Sequence, residues 1–188
     1  MGCALSAGTS RLQDVSNSQD ITATLECMKA LGADVQWEDG TTLSIAGSAG
    51  QAAPEGLVLD CGESGSTLRF LIPIALALTG SVSFRGHGRL MQRPQTPYFE
   101  IFQEKGISYR LTGDLLTAKG QLTPGRYRLQ GNVSSQFITG LLYALPLLDG
   151  PSTIVPTTAR GSWDYILMTL DALTGAGVTA AEPHTPGE

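Results

Sequence analysis

Histidine is almost missing from this chain. His87 and His184 are the two that occur, too few to build a histidine-based metal site. Cysteine is scarce as well. Cys3, Cys27 and Cys61 form an odd, scattered set, the pattern of reduced thiols in a cytosolic protein and not of a disulfide framework. No apolar run reaches the ~18 residues of a membrane span. The longest approach, 68–78, is broken by Arg69 and Pro73. The N-terminus has neither the basic segment nor the clean apolar stretch of a signal peptide. Aromatic residues make up only 6% of the chain, so a core must be built mainly from Leu, Ile, Val and Ala. Positive charge is not in excess either: 12 basic residues face 17 acidic ones, for a net charge of −5. That balance argues against general nucleic-acid binding, yet it leaves room for a small anion held by a few local cations.

What is present is a foldable chain. Its 188 residues, 41% of them hydrophobic, suffice for one domain or a large part of one and argue against disorder. The most informative stretch runs from Gly131 to Pro146. It opens on Asn132, Ser134, Ser135 and Gln136 and then turns apolar. A helix starting at Ser134 would be capped by Ser or Asn and have a mostly buried body. Its first turn would present free backbone N–H groups, the positive end of the helix dipole, two hydroxyls and an amide, which together outline an anion site. An ordinary capped core helix would carry the same local pattern.

A second stretch, Cys61-Gly62-Glu63-Ser64-Gly65-Ser66-Thr67-Leu68-Arg69, follows a short strand-like segment, 57–59, and opens another apolar helix with its body at 70–78. Gly65 would let a ligand approach the backbone, and Ser64, Ser66 and Thr67 could donate hydroxyls. A glycine-containing helix start with no ligand fits equally well. Between the two stretches lies Gly86-His87-Gly88-Arg89-Leu90-Met91-Gln92-Arg93-Pro94. Arg89 and Arg93 could share a face if this loop is helical, or stand as two solvated surface arginines. His87 reads as a loop residue. Pro94 fits the first turn of a helix over 96–105 that Gly106 stops.

Elsewhere the pattern predicts helices over 18–31, stopped by Gly32, and over 163–174, ended by Gly175 and Gly177. Short strands are expected at 43–45, 81–84, 107–111, 115–116, 127–129 and 153–155. Residues 1–7 read as the tail of a helix, and 182–188 as a frayed tail.

These elements repeat. Gly8, Gly80 and Gly150 each close an apolar helix and recur 72 and 70 residues apart. Gly32, Gly106 and Gly177 each close an amphipathic helix and recur 74 and 71 apart. One unit used three times is the economical explanation, in the order strand, buried helix, strand, amphipathic helix, strand, strand. The first unit would lack its opening strand and helix start, and the third its closing strands. Ser64–Thr67 and Ser134–Gln136 then hold the same place in their units, so two anion-suited helix starts would converge.

Four separated motifs carry a family resemblance. Leu59 to Arg69, Gly88 to Pro94, Val133-Ser134-Ser135-Gln136-Phe137 and, more weakly, Ser162 to Leu170 resemble, in order and spacing, the 5-enolpyruvylshikimate-3-phosphate synthases of the enolpyruvyl transferase family. The resemblance spans about 4–178. It implies an α/β fold, a pseudo-threefold array of such units with buried parallel helices (an inside-out barrel domain). It implies transfer of the enolpyruvyl group of phosphoenolpyruvate to the 5-hydroxyl of shikimate 3-phosphate, with no metal or organic cofactor, in the cytoplasm.

By motif, Ser134, Ser135 and Gln136 would bind shikimate 3-phosphate, with Gln136 also near phosphoenolpyruvate. Ser162 and Tyr165 would complete that pocket, and Gly65 and Arg93 would bind phosphoenolpyruvate. Arg69 matches the family pattern without an implied ligand contact. Residues 1–181 would then be a single shikimate-phosphate-binding domain, incomplete at both ends, that needs a missing C-terminal domain. The upstream Lys-Ser segment and the acidic residues that carry proton transfer in the family are not in this sequence. Trp163 and Leu167 stand where the family usually has Lys and Asp, and Arg160 could supply a nearby charge. Two alternatives are a UDP-N-acetylglucosamine enolpyruvyl transferase-like domain and a non-catalytic module that assembles with a complementary chain. The serine pair and the Arg-Pro loop favour the shikimate enzymes over the first, as does the lack of a cysteine between Arg89 and Pro94.

Overall fold

The glycine spacing corresponds to a structural repeat. The computed structural model describes residues 1–131, 134–158 and 163–178. The first unit comprises helix α1 (Gly2–Leu5), strand β1 (Thr9–Leu12), helix α2 (Gln19–Ala30) and strands β2 (Asp34–Trp37) and β3 (Leu43–Ala46). The second comprises β4 (Leu57–Asp60), α3 (Gly65–Leu78), β5 (Ser81–Arg85), α4 (Thr96–Lys105), β6 (Ser108–Thr112) and β7 (Leu115–Lys119). The third comprises β8 (Gly125–Leu129), α5 (Ser135–Ala144), β9 (Ser152–Pro156) and α6 (Trp163–Gly175).

Each unit folds onto its own sheet. In the second, β4 runs parallel to β5, β5 pairs antiparallel with β7, and β7 with β6. The sheet order is β4-β5-β7-β6. The first unit's β1-β3-β2, antiparallel throughout, reproduces the last three strands of that order. The third unit's β8 and β9, paired in parallel, reproduce the first two. The α/β class, the threefold repetition and the element order of each unit are as the sequence predicts.

Local chemistry places the ends. Ser18 accepts the Ile21 N–H at 3.2 Å and caps α2. Gly106, in the left-handed region at φ 68°, closes α4. The expectation for Pro94 is corrected. Gln95 is the N-cap of α4 and Pro97 lies in its first turn, while Pro94 sits outside the helix. Pro94 instead restricts the residue before it, and Arg93 is accordingly extended (φ −72°, ψ 132°), ending the short 3₁₀ turn Leu90–Gln92.

The core lies where the buried helices meet. On α3, Leu71, Ile72, Ile74, Ala75 and Leu76 have no exposed surface. Helix α3 lies against α5, and the two are parallel. Gln136 of α5 meets Arg69 of α3, and one turn further along both helices Gly140 meets Pro73. A Cβ on Gly140 would lie 2.6 Å from the Arg69 carbonyl oxygen, so glycine is what permits this approach.

Pro73 has no N–H to give to the Arg69 carbonyl four residues earlier. The phenol of Tyr98, wholly buried on α4, donates to that carbonyl at 2.6 Å and shares its proton with the Phe137 carbonyl at 3.1 Å. One hydroxyl thereby satisfies the acceptor that proline leaves open and ties α3, α4 and α5 together. All three cysteines are free thiols, and Cys27 and Cys61 are buried. A hydrogen bond with Cys27, then burial, pushes the Cys61 thiol far up, so it stays protonated.

Candidate anion site at two helix N-termini

Parallel packing brings the first turns of α3 and α5 side by side. Ser64 caps α3, accepting the Thr67 N–H at 3.3 Å, and Ser134 caps α5, accepting the Gln136 N–H at 3.4 Å. Two positive helix ends therefore open onto one region.

Not every hydroxyl there is available. The Thr67 hydroxyl lies 2.8 Å from Ser64 Oγ and 2.7 Å from Thr24 Oγ1, and both Ser64 and Thr67 are buried. The expectation that these two donate to a ligand is therefore corrected. Thr67 is spent on holding α3 to α2 and Ser64 on the first turn of α3 itself, while Ser66 remains partly exposed.

Ser134, Ser135, Gln136 and Tyr165 line a single open cleft of about 640 Å³. Tyr165, Met168, Thr169 and Ala172 present one face of α6 to it, at the i, i+3, i+4, i+7 spacing of a helix stripe. Thr139 and Thr169, both buried, meet at 3.1 Å on its floor, and Thr169 also donates to the Tyr165 carbonyl. Phe70 and Tyr143 add an apolar side. Trp163, at the start of α6, is partly buried against the core, and Leu167 is exposed. Ser162 and Arg160 lie outside the described residues.

Gly65 and Arg93 form an adjoining part. A Cβ on Gly65 would lie 2.6 Å from Arg93 Nη1, so the missing side chain is what lets the guanidinium lie over the first turn of α3. Arg89 is exposed at the far end of the 3₁₀ turn. His87, in the same loop, has its Nε2 3.0 Å from both oxygens of Asp60 at the end of β4.

The residue that joins the two parts is Arg69. Its Nη1 donates to Gln136 Oε1 at 2.8 Å and its Nη2 to the Pro94 carbonyl at 3.4 Å, and the guanidinium lies over the Phe137 ring, 4.7 Å from its centroid. Burial, then the nearby charge of Arg93, lowers the Arg69 pKa from its ordinary value. Among the described residues neither arginine forms an ion pair with an acid. Two guanidinium groups with no acid paired to them among the described residues, set beside two helix N-termini, make a region that favours a bound anion. The sequence does offer a signal for Arg69, because it stands one helical turn after Gly65 and so on the same face.

A family model described as EPSP synthase (3-phosphoshikimate 1-carboxyvinyltransferase) matches residues 1–186. The 3-phosphoshikimate 1-carboxyvinyltransferase of Clostridium novyi is 42% identical over 188 residues, covering 95% of this chain and 43% of its own length. That of Clostridium kluyveri is 45% identical over 179 residues, covering 94% and 42%. The solved EPSP synthase of Acinetobacter baumannii superposes with a TM-score of 0.70 over 85% of this chain and 37% of its own, at 20% identity, a likeness of fold alone. The chain thus spans less than half the length of the curated relatives it matches.

Proposed function

This chain belongs to the EPSP synthase (3-phosphoshikimate 1-carboxyvinyltransferase) family, and we propose that it forms the shikimate 3-phosphate side of an enolpyruvyl transferase site. In this reading Ser134, Ser135 and Gln136, at the start of α5, hold the phosphate, and Tyr165 on α6, with Ser162, closes the pocket. Gly65 leaves room for phosphoenolpyruvate, and the Arg93 fork takes its carboxylate or phosphate. The reaction joins the shikimate 5-hydroxyl oxygen to the substituted enol carbon and releases phosphate, with the hydroxyl proton lost. The residues of this chain bind and orient the two anions. In this reading proton transfer and the facing wall come from the part of the relatives' length that these residues do not match, and the 188 residues by themselves bind weakly and turn over little or not at all.

The observation that supports this reading most is the pair of arginines, Arg69 and Arg93, at two adjacent helix starts with no acid paired to either among the described residues. Isothermal titration tests it. Shikimate 3-phosphate is expected to bind saturably and to lose binding in Ser135→Ala and Gln136→Ala. Phosphoenolpyruvate is expected to lose binding in Arg93→Met. A folded protein that gives no heat with either compound would overturn the reading.

A further inference from the structure

Gln136 is engaged at one end only. Its Oε1 accepts from Arg69 Nη1 at 2.8 Å, whereas its Nε2 has no hydrogen-bond partner among the described residues, and the side chain lines the cleft beside Ser134 and Ser135. An arginine can only donate, so its partner atom must be the amide oxygen. The bond therefore decides which way the amide faces: oxygen toward α3, both N–H donors toward the cleft. Without it the amide could rotate by half a turn and offer an acceptor instead, which would repel a phosphate or carboxylate.

Arg69 is itself held in place. Its ring contact with Phe137 and its bond to the Pro94 carbonyl fix the guanidinium plane. Its backbone carbonyl is bound by Tyr98. The adjacent charge of Arg93 discourages any swing toward the Gly65 side.

We infer that Arg69 is a positioning residue, which sets the polarity of the cleft by holding the Gln136 amide with its N–H groups toward a bound anion. The inference rests on the anion-binding role proposed above. It differs from a direct contact, in which Arg69 would touch the ligand itself. It also differs from a purely structural role, in which Arg69 would only hold α3 to α5.

A double-mutant cycle with a relaxation measurement tests it. The variants are Arg69→Met, Gln136→Ala and the pair, each titrated with shikimate 3-phosphate and each checked by thermal melting. ¹⁵N relaxation of the Gln136 side-chain amide is recorded in the ligand-free protein and in Arg69→Met. The expected result is an amide rigid in the parent chain and averaged in Arg69→Met. Arg69→Met and Gln136→Ala each weaken affinity, on the order of tenfold for loss of a charge-assisted hydrogen bond or of the donor it orients. Arg69→Met costs nothing further once Gln136 is gone. Equal amide mobility in both proteins, or losses that add in the double variant, would overturn the inference. If the parent chain binds no anion, the proposed function fails, while the relaxation data still decide whether Arg69 orients Gln136.

Discussion

Gly65 shows how one missing carbon can serve binding more than stability. In Gly65→Ala the new Cβ would lie 2.6 Å from Arg93 Nη1 and must displace it. The displaced group is the end of a flexible side chain, and alanine suits a helix better than glycine by about 0.5–1 kcal/mol. Melting is therefore expected to stay level or rise slightly, while phosphoenolpyruvate affinity falls on the order of tenfold, the loss of one charge-assisted contact. Thermal melting and titration of the same preparation check both. Ser134 and Gln136 were readable in the sequence because capping is a local matter, settled within a few residues, and Gly65 because a missing side chain marks a place for close approach, although the group that approaches it, Arg93, belongs to another loop. Arg69 was marked only by its place one helical turn after Gly65; its partners, Gln136, Pro94 and Phe137, lie 67, 25 and 68 positions away, and no local pattern reports them. Thr67 misled for the same reason: its hydroxyl is consumed by Thr24, 43 residues distant.

Among the elements, the join between α3, α4 and α5 depends on the Tyr98 hydroxyl. Burial pushes its pKa well above the ordinary value, so it remains a donor throughout the stable pH range. Tyr98→Phe strands the Arg69 carbonyl that Pro73 cannot serve. A loss of about 1–3 kcal/mol in urea unfolding is expected, against almost none for Tyr109→Phe, whose ring is exposed. Proline inside α3 was visible in the sequence, but the phenol that compensates for it comes from the next helix and was not. The loop bearing Arg93 has a second anchor, Asp60 to His87. The bond to Asp60 raises the His87 pKa. Partial burial pushes the Asp60 carboxyl up, but His87 and the Gly62 N–H together hold it below its usual range. The stabilisation from His87 is thus full below its unfolded value of about 6.5 and fades as pH rises through the raised one. That from Asp60 is present above about 3.9 and fades as pH falls through the lowered one. The difference in melting temperature between the parent chain and His87→Ala should therefore peak near pH 5–6 and shrink toward pH 9.

At the scale of the whole molecule, three sheets repeat one strand order, and that repetition is what carries two capped helix starts to the same place. Most of it was legible, because glycines that end helices recur at a nearly constant interval and leave the unit written along the chain. Pairing was not legible: a parallel β4-β5 and an antiparallel β5-β7 read alike as short apolar runs. Nor was the depth of the cleft, which α6 makes by turning Tyr165, Met168, Thr169 and Ala172 toward α5. The central claim is that these two helix starts act as one anion site. Amide chemical-shift mapping during titration with shikimate 3-phosphate tests it most directly. The account predicts saturable shifts concentrated at Gly65, Ser135, Gln136 and Tyr165. Shifts confined to another face, such as the exposed strand around Trp37, with the first turns of α3 and α5 unmoved, would contradict it.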